Sequence, residues 1–256
     1  MIDAIERVQR AIASHRATPR RLRGVVTGLA ALAMLGAAIL WLPDAMIRHA
    51  AAIAPPAQAR TIGMAILTDI QHDAGAVCRR RSGQQVLDWI TPRLSGSEAL
   101  VQVVPGPLNG ARRLPGNLYV LGNDLLADKP TLDAAAGHLV AARLAQDDKE
   151  VTLQALRHAG LMAALRLMTL GTLPRSAMEG YGDVLLTQPL PLPDPAALPP
   201  AFAELGLSTE PYARTIDPTG AAVLPLIEAD PIRAGEPPAD LLTDEQWVAL
   251  QQICAG

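Results

Sequence analysis

The longest apolar stretch in the chain is Gly24–Pro43, twenty residues without a charge. As a helix rising about 1.5 Å per residue it covers roughly 30 Å, the thickness of a bilayer core, with every backbone group bonded internally. This pattern predicts one transmembrane helix over residues 24–43. Beyond it, Ile47, Ala51, Ile62, Ile66 and Ile70 recur at helical intervals on either side of Pro55-Pro56, predicting helix over 44–70 with a break at the prolines. A further helix is expected over Ser82–Leu94, burying Val86, Trp89 and Ile90. Ala99–Val104 and Asn117–Leu121 are rich in β-branched residues and bounded by Pro and Gly, so they predict strands, and the connection Pro107–Gly116 is compatible with a hairpin between them. Helical spacing resumes over Thr131–Ala145, with Thr131 and Asp133 offering capping oxygens, and again over Glu150–Leu170. The apolar run Ala159–Pro174 contains Arg166 and is too short to cross a membrane. Pro189–Pro238 holds twelve of the twenty-two prolines, which predicts an extended arm over 189–240. A short helix, Asp244–Ile253, closes the chain and is expected to pack, within 241–256, on the main domain.

Charge sharpens this organisation. Residues 1–23 carry six Arg against Asp3 and Glu6, a balance of +4, whereas the rest has 16 basic and 23 acidic residues, −7. Four of those arginines (Arg16, Arg20, Arg21 and Arg23) crowd the start of the apolar run. The positive-inside rule then makes 1–23 a cytoplasmic segment and sets residues 44–188 outside, as in a single-pass bacterial inner-membrane protein with a periplasmic domain. The rival reading is a cleaved signal peptide, for which Ala57-Gln58-Ala59 resembles a cleavage site. Both the leading segment and the apolar run exceed the usual dimensions of such peptides. With two lysines and a net charge of −3, nothing points to nucleic acid as a partner. Expected partners are the bilayer and other membrane or envelope proteins. Half the chain is hydrophobic, which excludes a wholly disordered protein, but with only seven aromatic residues the core must come from Ala, Leu, Val and Ile. Cys78 and Cys254 are the only cysteines. In an oxidising compartment they could form a disulfide, contributing ~4–5 kcal/mol in the chain-entropy model; two unpaired buried thiols are the alternative.

The order of motifs from Asn109 to Asp183 carries a resemblance. It runs LPGN at Leu114–Asn117, NLYVLGNDLL at Asn117–Leu126, LDAAAGHLVAARL at Leu132–Leu144, a hydrophobic helical segment, then MEGYGD at Met178–Asp183. This resembles zinc metallopeptidases of the HtpX and CAAX-prenyl-protease type, peptidase family M forty-eight, over roughly residues 75–190. The resemblance implies an α+β, mainly helical, gluzincin-like domain with a small hairpin or sheet. In that family a helix bears HExxH, whose two histidines, four apart, hold zinc on one face while the glutamate activates water. A third ligand opens a later ExxxD element.

Carried over by position, the second histidine falls on His138 and the third ligand on Glu179, with Asp183 four residues on. The first histidine and the catalytic glutamate fall on Ala134 and Ala135. No histidine of the chain begins an HExxH. Two ligands cannot make a catalytic zinc site, and without a base nothing lowers the pKa of attacking water. The resemblance therefore implies vestigial metal positions, no catalytic residue, no cofactor and a non-hydrolytic, binding or accessory role. A plainer reading makes His138 a satisfied, half-buried histidine and places Glu179 near a helix N-terminus. The enzyme alternative keeps zinc and a metalloendopeptidase activity by recruiting His72, Asp133 or Asp183.

Overall fold

The computed structural model describes residues 2–255 except 107, 109, 128, 130 and 236, and describes the backbone alone at 2–23 and 175. The basic side chains of 1–23, and Pro107 and Asn109 at the edges of predicted segments, lie outside the described residues. The chain divides into two units, Met1–Met46 and Ile47–Gly256.

Helix α1 runs Ile2–Ile53. Within it, residues 24–42 are exposed without exception, Leu40 by 83% and Trp41 by 67%. Gly24–Ile53 is the one helix among the described residues long and apolar enough to cross a membrane.

The second unit is mostly helical around a small sheet. The remaining helices are α2 (Pro56–Ala74), α3 (Arg81–Ser95), α4 (Asp133–Ala145), α5 (Asp148–Leu170), α6 (Tyr181–Thr187), α7 (Leu198–Leu205), α8 (Thr209–Ile216), α9 (Leu224–Glu228) and α10 (Asp244–Gln251). Pro55 and Pro56 separate α1 from α2 where the sequence places the break, Pro56 taking the first position of α2, where the N–H it lacks would have no intrahelical partner. Strands β1 (Leu100–Val104), β2 (Ala111–Leu114) and β3 (Leu118–Gly122) form one sheet in the order β1-β3-β2. Alternation along β3 divides the core. Tyr119 and Leu121 face a cluster with Ile90, Val140 and Phe202, whereas Leu118 and Val120 face Ile62, Ile66 and Leu156. Helices thus cover both faces, and all five residues of β3 are buried.

Several expectations need correction. The two predicted strands do pair, but in parallel, with Leu100 opposite Leu118 and Val104 opposite Gly122. The hairpin instead joins β3 to β2, a strand lying inside what reads as a connection, with Leu114 opposite Leu118. Two adjacent arginines, Arg112 and Arg113, disguise β2 as loop. Trp89 is 45% exposed with the Arg93 guanidinium 4.4 Å from its ring centre, and α3 buries Val86, Leu87, Ile90 and Leu94 instead. The expected capping of α4 is absent. Leu132 occupies the cap position, and Asp133 Oδ1 accepts the backbone N–H of Ser208. Glu150–Leu170 is not one straight helix, since Gly160, at φ 81°, interrupts it.

The largest correction concerns residues 189–240. They are not an extended arm but a run of short helices that buries Leu198, Phe202, Leu207, Tyr212 and Ile227. Pro199, Pro200 and Pro225 occupy first turns, where a missing N–H costs nothing, so a high proline count starts helices here rather than preventing them. The C-terminal helix packs as expected. Thr243 and Gln246 cap α10 reciprocally, and Gly83 of α3 lies so close that a Cβ there would come within 2.8 Å of the Ala249 carbonyl oxygen. Cys78 and Cys254 form a disulfide with Cα atoms 4.7 Å apart.

Candidate functional site

The site suggested by the sequence lies on α4, whose nine residues Ala134–Ala142 are all buried. That run is small in volume, so neighbours approach closely: a Cβ on Gly137 would sit 2.6 Å from Tyr212 Cβ and 2.9 Å from Phe202 Cζ. His138 is 6% exposed and meets the Tyr212 ring edge-on at 4.9 Å between centres. Its Nε2 lies 2.8 Å from Thr215 Oγ1. The Thr215 hydroxyl spends its single hydrogen on the Tyr212 carbonyl at 2.6 Å. Thr215 can therefore only accept from His138, which fixes the imidazole as the Nε2–H tautomer. Burial, and secondarily the charge of Lys129, push the His138 pKa down to about 4, so the ring is neutral at physiological pH.

Ala134 and His138, one turn apart, both line a cavity of about 590 Å³. Its lining is charged, with Lys129 and Asp124 and the pair Glu210 and Arg214, 2.8 Å apart. In size the cavity would take a small molecule or a few peptide side chains. Among the described lining residues the only imidazole is one whose Nε2 is already a donor.

Glu179 has other company. It follows the short turn Arg175–Met178, its side chain is exposed, and its backbone carbonyl, not its carboxylate, accepts from His158 Nε2 at 3.2 Å. The plainer expectation of a helix N-terminus is nearly met, since α6 begins two residues later after Gly180 at φ 74°. Asp69 of α2 fastens this corner, accepting the N–H groups of Gly180 at 3.2 Å and Gly182 at 2.6 Å. Asp183 is exposed on α6, and His72 is exposed in the last turn of α2. None of these residues belongs to the surroundings of His138. Among the described residues no three His, Cys, Asp or Glu gather to hold a metal ion. The residues present do not fit the zinc that the family resemblance implies, and no step through zinc can be built on them.

Other polar groups escaped sequence reasoning altogether. Tyr212 and Thr215 sit three apart on α8, a spacing compatible with one helical face, but nothing in the pattern ties them to His138. Arg112 is 6% exposed, and its guanidinium donates to the backbone carbonyls of Gln188 and of Pro189, the latter at 3.3 Å. Residues 188 and 189 thus lie against edge strand β2. Asp230 receives the Ser208 hydroxyl and the N–H of Glu210, bonds that hold its carboxyl below the usual range although burial opposes them. No protein-family model matches the chain, and no curated protein matches it either.

Proposed function

We propose that this chain is a membrane-anchored, non-hydrolytic domain of metallopeptidase ancestry. It would act in the bacterial envelope as a binding or accessory protein, holding polypeptide segments or docking on a membrane complex. The supporting observation is the state of His138. A histidine whose Nε2–H is committed to Thr215, beside Ala134 and Ala135 where a second ligand and a base would be needed, is a packing element rather than half of a metal site. The fully exposed apolar length of α1 supports an anchor, because such a surface is stable only in an apolar surrounding. The disulfide supports an oxidising location for the second unit, and the arginines of 1–23 support an inner-membrane orientation with that unit in the periplasm.

Metal analysis of the detergent-purified full chain tests the central point. After dialysis against micromolar zinc, the wild type and His138→Ala are expected to carry the same substoichiometric metal and to leave a denatured protein substrate uncut. One zinc per chain, lost in His138→Ala together with a peptidase activity, would overturn the proposal.

A further inference from the structure

A second cavity, of about 200 Å³, lies beside β2 and is unrelated to the His138 pocket. Arg112 and Arg113 stand in its wall with Gln154, against the apolar side chains of Ile66, Val151 and Leu185. Every hydrogen-bond partner of the two guanidinium groups is neutral. Arg112 donates to the carbonyls of Gln188 and Pro189, while Arg113 donates to those of Arg143 and Gln146 and to Asn117 Oδ1. The Nε of each is buried without a partner. No Asp or Glu is among the described residues lining the cavity, and nearby Asp148 directs its Oδ1 to the Asn117 N–H at 2.8 Å. Arg112 is buried and Arg113 half-buried, and a guanidinium as buried as that of Arg112 is costly unless an anion meets it. Arginine's planar fork suits a carboxylate, and the apolar wall suits a short hydrocarbon body that a phosphate lacks.

We infer that this cavity is a binding site for a small carboxylic acid, whose carboxylate meets the Arg112 guanidinium and whose apolar body lies against Ile66, Val151 and Leu185. A space of about 200 Å³ suits a short acid rather than a lipid. Carbonyls of Gln188 and Pro189 hold the Arg112 guanidinium at the cavity wall, so binding also tightens the segment entering the proline-rich region.

The test is thermal unfolding of the detergent-solubilised full chain with succinate, butyrate or inorganic phosphate, each against sodium chloride at equal ionic strength. Succinate or butyrate is expected to raise Tm saturably, phosphate and chloride not. Arg112→Met, which keeps an unbranched apolar stem and removes the charge, is expected to weaken the carboxylate effect at least tenfold. Leu185→Trp leaves both arginines in place and fills the space; it is expected to do the same and decides the matter should Arg112→Met not fold. Absence of a saturable carboxylate shift in the wild type would refute the site. So would an undiminished shift in the folded variants, or a phosphate response equal to that of the acids.

Discussion

At the scale of single residues, His138 shows how position on a helix can be legible while chemistry is not. Its place on the inner face of α4 follows from spacing, and burial is what the plainer reading expects. Its tautomer, however, is set by Thr215, seventy-seven positions away, through a hydroxyl whose hydrogen is already committed. The consequence is a pH dependence with a definite sign. The folded-state pKa of about 4 lies below the ordinary 6.5, so between those values the unfolded chain binds a proton that the folded chain refuses. The stability from a neutral His138 is complete above pH 6.5 and is lost as pH falls toward 4, by ~2–3 kcal/mol between pH 7 and 4.5. Urea unfolding at those two pH values should show this component in the wild type and its absence in His138→Gln, which cannot titrate. Equal losses in both proteins would contradict the assignment.

At the scale of elements, the sheet shows where pattern misleads. Strand propensity located β1 and β3 to within a residue, because β-branched residues buried on both faces leave a dense apolar signal. The local pattern points to a hairpin between β1 and β3 rather than β2 and β3 because β2 carries Arg112 and Arg113, and a polar pair in a short segment cannot be told from a turn until its burial is known. The turn itself is encoded locally. Gly116 at φ 78° and Asn117 at φ 57° reverse the chain in left-handed conformations that glycine and asparagine tolerate best. Gly116 also lies under α2, where Arg60 donates to its carbonyl at 2.9 Å and a Cβ would overlap the Arg60 backbone. Gly116→Ala is therefore expected to cost about 2–4 kcal/mol, the sum of a left-handed penalty and a steric one, read from the shift in denaturation midpoint. A change below 1 kcal/mol would mean that hairpin and helix part easily. The proline-rich region makes the complementary point. Proline counts argue against regular structure, yet proline placement at first turns permits it, and only the burial of Phe202 and Tyr212 reveals that these short helices are core.

At the scale of the whole molecule, the disulfide ties Cys78, just before α3, to Cys254, just after α10, across 176 residues. Closing so long a loop restricts the unfolded chain, and the Cys78→Ser, Cys254→Ser double variant is expected to lose about 5 kcal/mol of stability in the chain-entropy model. Calorimetry of the full chain with and without reductant checks this, and an unchanged Tm on verified reduction would show that the bridge is energetically idle.

The amino-acid sequence by itself determined the long apolar helix, the proline break before α2, most helix positions and the two cysteines available for pairing, since each is written in neighbouring residues or in composition. Tertiary structure alone decided which strands pair and in which direction, that the proline-rich stretch is core, that Glu179 and His138 stand in separate surroundings, and that Arg112 is buried among neutral partners. These latter outcomes depend on contacts between residues far apart in the chain, where desolvation and hydrogen-bond partnership are properties of the folded neighbourhood and leave no trace in local spacing.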